Sequence, residues 1–234
     1  LVHLGLPEEI ETAVEWLESL GPPSRVMLVP GNHDVYAGDS GEAVLRHWAD
    51  YVAGAGAADN AFPRIRRLGE TDQPVSVIGL SSAVVSPLFM AYGRLGAQQF
   101  ARLDRALEDA AGFRCLMLHH PPLPGMVSRR KGLQDAPALA RLLAHRRVDV
   151  VLHGHVHRNG TREGPGGARV LGTASASSVS AHAPACYRRL DVTPADGGGW
   201  TVDMRLIMVT ADGGRTTLER LCWHAPGRDL SAGR

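Results

Sequence analysis

Lysine is almost absent from this chain: Lys131 stands alone among 25 basic residues, the rest being arginine. Against 24 acidic residues the net charge is +1, so no bulk field of the kind met by nucleic acid or an anionic membrane is set up. The tight basic run Arg129-Arg130-Lys131 reads as a solvated loop. Cysteine is scarce as well, with Cys115, Cys186 and Cys222 widely spaced and odd in number. That excludes a disulfide framework and points to a reducing, cytoplasmic setting. No Cys-x-x-Cys pair occurs, which argues against a thiolate zinc site. No apolar run approaches the roughly 18 residues of a membrane span, and no leader is visible after the opening Leu1. What is plentiful is apolar material, at 44% of residues, enough for the core of one domain over residues 1–234.

Alternation of helix and strand patterns predicts an α/β fold with a largely buried sheet. Pro7, followed by Glu8, Glu9 and Glu11, suits a helix start, and Ile10, Ala13, Val14, Leu17 and Leu20 recur on one face. Gly21-Pro22-Pro23 ends it. Val26 to Val29 is a continuous apolar run, the mark of a strand covered on both faces. A helix over Glu42 to Val52 follows, with Val44, Leu45, Trp48 and Val52 inward. Further strands are predicted at Val75–Leu80, Cys115–Leu118 and Val148–Leu152, and helices at Gln98–Ala110 and Ala138–His145. From residue 169 to 225 the chain becomes mainly antiparallel β, with strands at Val170-Leu171, Tyr187–Val192, Thr201–Val209 and Thr216–Cys222. Gly197-Gly198-Gly199 and Ala211 to Gly214 turn between them. Gly54–Asn60 and Gly164–Gly167 read as loops.

Three polar clusters each follow a predicted buried strand: Gly31-Asn32-His33-Asp34, His119-His120-Pro121-Pro122 and His153-Gly154-His155-Val156-His157. Ligands of open α/β sheets bind beyond the carboxyl ends of strands, so three such ends can converge. Neutral imidazole is the commonest metal ligand and an Asn carbonyl adds an oxygen. On an extended segment His155 and His157 would point the same way, and Gly31 and Gly154 would give backbone room. Each cluster alone reads equally as a turn or a hydrogen-bonded structural histidine. Their joint occurrence is what carries the chemistry.

These three motifs resemble the later motifs of the calcineurin-like metallophosphoesterase superfamily. Val29-Pro30, Leu123-Pro124-Gly125 and Leu171 to Ser175 add likeness to its class III cyclic-nucleotide phosphodiesterase branch. The resemblance implies a sandwich of β-sheets flanked by helices and two divalent metals, Mn, Fe, Zn or similar, with a bridging hydroxide that attacks phosphorus. It implies that Asn32, His119 and His155 bind one metal and His157 the other. His119 is preferred to His120 because it stands two residues before a proline, leaving His120 to shape the site or face the substrate. It further implies that His33 faces the substrate phosphate and that Asp34 holds the His33 ring.

The superfamily pattern opens with Asp-x-His and Gly-Asp, and neither occurs before Gly31. By that resemblance the first strand-helix-strand unit is lacking. At most one metal is then expected to bind well, and activity is expected to be weak or absent. The expected partner is a small phosphate ester, a cyclic nucleotide or small phosphodiester above all. Phosphomonoesterase, nuclease and non-catalytic interaction module stay as alternatives. Trp200 or Trp223 on the C-terminal strands offers a homodimer surface.

Overall fold

Apolar runs with no polar break need cover on two faces, and the architecture supplies it. The computed structural model describes residues 1–35, 46–53, 62–69, 73–180 and 183–227. Its central sheet contains β1 (Arg64–Leu68), β2 (Val75–Gly79), β3 (Phe113–Met117), β4 (Val150–His153), β5 (Gly160–Glu163) and β6 (Arg169–Gly172). Their spatial order is β1-β2-β3-β4-β6-β5. The inner four strands are parallel, and the two edge strands run antiparallel to them.

Helices α3 (Gly96–Asp109) and α4 (Ala136–Arg146) cover one face. There Leu103, Leu107, Leu139 and Leu143 meet Ile78, Leu116, Val151 and Val170 of the sheet, each such burial contributing about 1.5–3 kcal/mol. A three-stranded antiparallel sheet of β9 (Cys186–Pro194), β10 (Trp200–Val209) and β11 (Arg215–Ala225) covers the other. It packs Trp200, Val202, Met204 and Leu206 against Phe113, Cys115, Val150 and Leu171. A small hairpin, β7 (Val179–Ser180) and β8 (Ala183–Pro184), precedes β9. Helices α1 (Pro7–Leu20) and α2 (Ala49–Ala53) form a third cluster, in which Ile10, Ala13 and Leu17 meet Trp48, Tyr51 and Val52. Among the described residues no helix is long and apolar enough to cross a membrane.

Most predicted elements recur within three residues at either end, two differ, and strands β1 and β5 were not predicted. Val26–Val29 joins no sheet. Leu28 N–H donates to the Tyr51 carbonyl and Val26 N–H to Pro22, so helix and turn oxygens take the place of a ladder. Met27 and Val29 press instead on Gly79, where a Cβ would sit 2.8 Å from the Met27 methyl. Val44 and Leu45, and the Gly54–Asn60 loop, lie outside the described residues. β6, expected in the antiparallel part, pairs parallel with β4. β1 and β5 carry arginines and a glutamate on exposed edges. Charged, weakly apolar composition protects an edge and hides it from pattern reading.

Candidate metal centre

β3 and β4 are adjacent and parallel, so the segments that follow them leave the sheet side by side. His119 lies just beyond β3 and His155 just beyond β4. Asn32 arrives on a one-turn 3₁₀ helix, Asn32–Val35. Three donor atoms meet: His119 Nε2 is 2.8 Å from Asn32 Oδ1, His155 Nδ1 is 3.1 Å from the same oxygen, and the two ring nitrogens are 3.2 Å apart. Ligand atoms about 2.1 Å from an ion in neighbouring octahedral positions stand about 3.0 Å apart. The triangle therefore fits one face of a divalent cation's coordination shell.

The protonation states agree with that fit. Burial pushes the His119 imidazolium pKa well below its usual value, with the neighbouring His120 and His155 acting in the same direction. His155 is pushed down to about 4, first by burial and then by the Lys131 cation. Both rings are neutral near pH 7 and present lone pairs. The other side is the charge balance. Among the described residues no group of three or more His, Cys, Asp or Glu side chains is placed to hold an ion, and the trio itself, two imidazoles and one amide, is neutral.

Local backbone aims these side chains. Gly31 is required: a Cβ there would sit 2.8 Å from two atoms of the His119 ring. Gly154 is not, because its Cβ would meet His119 only at 3.9 Å, an ordinary contact. Nor is the His155-Val156-His157 segment extended as the sequence implied. His155 (φ 71°) and His157 (φ 51°) are both left-handed, and Val156 N–H donates to the Gly154 carbonyl at 2.9 Å, the pattern of a strained γ-turn. Non-glycine residues held in that region concentrate at functional sites.

His33 and His157 line the same cavity, of about 1110 Å³, as Asn32, His119 and His155. His33 Nδ1 lies 2.9 Å from the His3 carbonyl, and the His3 ring stacks on it with centroids 5.3 Å apart. Asp34 does not hold the His33 ring as the resemblance implied. Its carboxylate, 2% exposed, accepts from Gly31 N–H (2.7 Å), Val2 N–H (3.2 Å) and the Leu1 nitrogen (2.7 Å). It fixes the loop that carries Asn32.

His120 faces away from any substrate. It has no exposed surface, and Ser82 Oγ and the Ala91 carbonyl take its two ring nitrogens at 2.8 and 3.2 Å. Burial drives its pKa down to about 3, so it stays neutral while tying β3's end to a neighbouring loop. Gly93 makes room for it, since a Cβ there would stand 2.3 Å from His120 Nδ1. Sequence reading missed Ser82 and Gly93, which carry no motif. Arg129, Arg130 and Lys131 are exposed in a turn, as the solvated-loop reading expected; that Lys131 also lines the cavity was missed.

The family pattern for calcineurin-like phosphoesterases matches residues 1–159, from before α1 through His157. The chain belongs to the calcineurin-like phosphoesterase family. That membership makes it a hydrolase of the phosphate-ester class. This calcineurin-like phosphoesterase is 28% identical over 204 residues to a Synechococcus protein named "Probable cyclic nucleotide phosphodiesterase", covering 84% of this chain and 69% of that one. Among solved structures it resembles a Staphylococcus aureus protein named "Putative 5'-Nucleotidase" (15% identity, TM-score 0.48), with 94% of this chain matched to 41% of that one. It also resembles a dimetal phosphatase from Danio rerio (12% identity, TM-score 0.43), over 91% and 87% of the respective chains. Scores below 0.5 leave the assignment resting on the family match.

Proposed function

We propose that this calcineurin-like phosphoesterase hydrolyses phosphodiesters, cyclic nucleotides or other small diesters, with the help of a divalent cation held by Asn32, His119 and His155. The observation that supports this reading most is the meeting of those three donor atoms, 2.8–3.2 Å apart, on a cavity also lined by His33 and His157. The name carried by the Synechococcus relative agrees with it.

A bound cation such as Mn, Fe or Zn would supply Lewis acidity and lower the pKa of water. The chain's own residues do the rest. The His3 carbonyl accepts from His33 Nδ1–H, so Nε2 carries the proton chemistry of that ring and protonates the leaving oxygen. Lys131 offsets phosphate charge at the cavity wall. His157 would be a ligand for a second ion. Asp34 keeps Gly31 and Asn32 in place and touches no reacting atom.

The test is turnover of bis(p-nitrophenyl) phosphate by the chain with added Mn²⁺. The reading expects a rate that falls at least 100-fold in His33→Ala. Equal rates for the two proteins contradict it. Parallel rates on cyclic AMP, a phosphomonoester and single-stranded DNA rank the substrate classes. A second reading, a non-catalytic binding module, is favoured by the carboxylate-free donor set. Elemental analysis separates them, because two metals per chain exclude the module.

A further inference from the structure

The cavity is unevenly lined. Part of its lining carries the nitrogen and oxygen donors, and part is apolar: Pro87, Leu88, Phe89, Met90, Met126 and Val127. Phe89 is 95% exposed and Leu88 87%, a heavy load of apolar surface for two adjacent residues on a folded chain. Phe89 also has φ 64°. It occupies the third position of a turn closed by Met90 N–H to the Pro87 carbonyl (3.0 Å) and braced by Ser86 Oγ–H to the Met90 carbonyl (2.8 Å). Glycine is the residue that turn position ordinarily takes, and a bulky side chain there is strained. Nothing in the core gains from this ring. Both its strain and its exposure act against stability, so the position is one that function explains.

The turn is also pinned. Ala91 N–H donates to Arg130 (2.9 Å), Gly93 N–H to Gly132 (3.1 Å) and Gln134 N–H to Gly93 (2.8 Å), while His120 Nε2–H reaches the Ala91 carbonyl. The loop that carries Lys131 and the turn that carries Phe89 are therefore one paired rim, and its base is anchored beside His119. A flat apolar face and a cation are presented together to the space that the donor trio faces.

We propose that Phe89 is a stacking platform for a flat heteroaromatic ring on the substrate, which makes nucleoside phosphates and nucleoside phosphodiesters the preferred class. This deepens the phosphodiesterase reading above and rests on it for the position of the phosphate. The cavity volume, about 1110 Å³, far exceeds what a phosphate alone needs and accommodates a mononucleotide. Stacking on a protein aromatic tolerates any base and contributes about 1–3 kcal/mol, enough to decide between a ringed and a ringless ester. A lipid surface is the other apolar partner to weigh. The apolar residues line the same cavity as the phosphate donors, which favours a ring attached to that phosphate.

Isothermal titration of the full chain with adenosine 5'-monophosphate and with ribose 5-phosphate, Mn²⁺ present, tests this by comparing two ligands that share a phosphate. Phe89→Ala is expected to lower the preference for the ringed ligand about tenfold. Phe89→Trp keeps the preference and Phe89→Leu does not. An unchanged ratio in Phe89→Ala, a Phe89→Leu variant that matches the native chain, or no binding of adenosine 5'-monophosphate overturns the proposal. So does loss of sedimentation with phosphatidylserine vesicles in Phe89→Ala while the ratio holds, which assigns the loop to a membrane. The readout needs no turnover. Ring preference without diester hydrolysis upholds the platform and sinks the catalytic reading, and hydrolysis without ring preference does the reverse.

Discussion

Gly31 and His119 touch so closely that a single methyl group on Gly31 would stand 2.8 Å from both Cε1 and Nδ1 of the ring. Gly31→Ala must therefore push the His119 ring off Asn32. Divalent-cation affinity is expected to drop at least tenfold, with about 1–3 kcal/mol of stability lost to overpacking. Gly154→Ala, whose Cβ would meet His119 at 3.9 Å, is expected to cost less than about 1 kcal/mol. Urea melts and cation titrations on the pair check this. Equal damage from both substitutions would contradict the packing described.

Asp34 gives a second test, because the resemblance and the structure assign it different work. Its carboxylate is buried on Gly31 and Val2 N–H groups. Asp34→Ala should destabilise by about 2–4 kcal/mol, seen as a lower urea midpoint. Had Asp34 served to orient His33, the loss would fall on the pH profile of turnover and leave the midpoint in place.

The histidines predict an acid limit. His155 (about 4) and His120 (about 3) have folded pKa values below the 6.5 of a free imidazole, and His119 is depressed as well. Below pH 6.5 the unfolded chain binds protons that the folded chain refuses, so stability rises with pH across this window. By pH 5 each ring costs at most about 2 kcal/mol. Stability should be full above pH 7 and fall steadily towards pH 4. A flat profile between pH 7 and 5 would contradict the burial of these rings.

Lys131 should be audible in the His155 titration. Its cation is the second cause of the depressed value, after burial. Lys131→Met is therefore expected to raise the His155 pKa while leaving it below 6.5. Imidazole NMR shifts against pH read this directly, and an unmoved value removes Lys131 from the site's electrostatics.

How much of this was legible in the sequence follows from burial. β3 and β4 are covered on both faces, so each holds a short apolar run, Cys115–Met117 and Val150–Leu152, that stands out. The polar clusters behind them then mark the rim, while the grouping of Asn32, His119 and His155 on one ion was implied by the family resemblance. Edge strands β1 and β5 are selected to be charged and so lack any such mark. Backbone detail was hidden for another reason. The left-handed turn at His155 and the partners of Asp34 depend on loop conformation, which residue type does not determine. Phe89 was concealed in the run Val84-Val85-Ser86-Pro87-Leu88-Phe89-Met90, whose composition is that of a core segment although its turn tip is bare.

The proposed cation site is one amide oxygen and two ring nitrogens acting together. Titrating the chain with Co²⁺ and following its visible absorption, in the native protein and in Asn32→Ala, His119→Ala and His155→Ala, tests this most directly. A saturable signal weakened at least tenfold by each substitution is the predicted result. No saturable signal in the native chain, or one indifferent to all three changes, would contradict it.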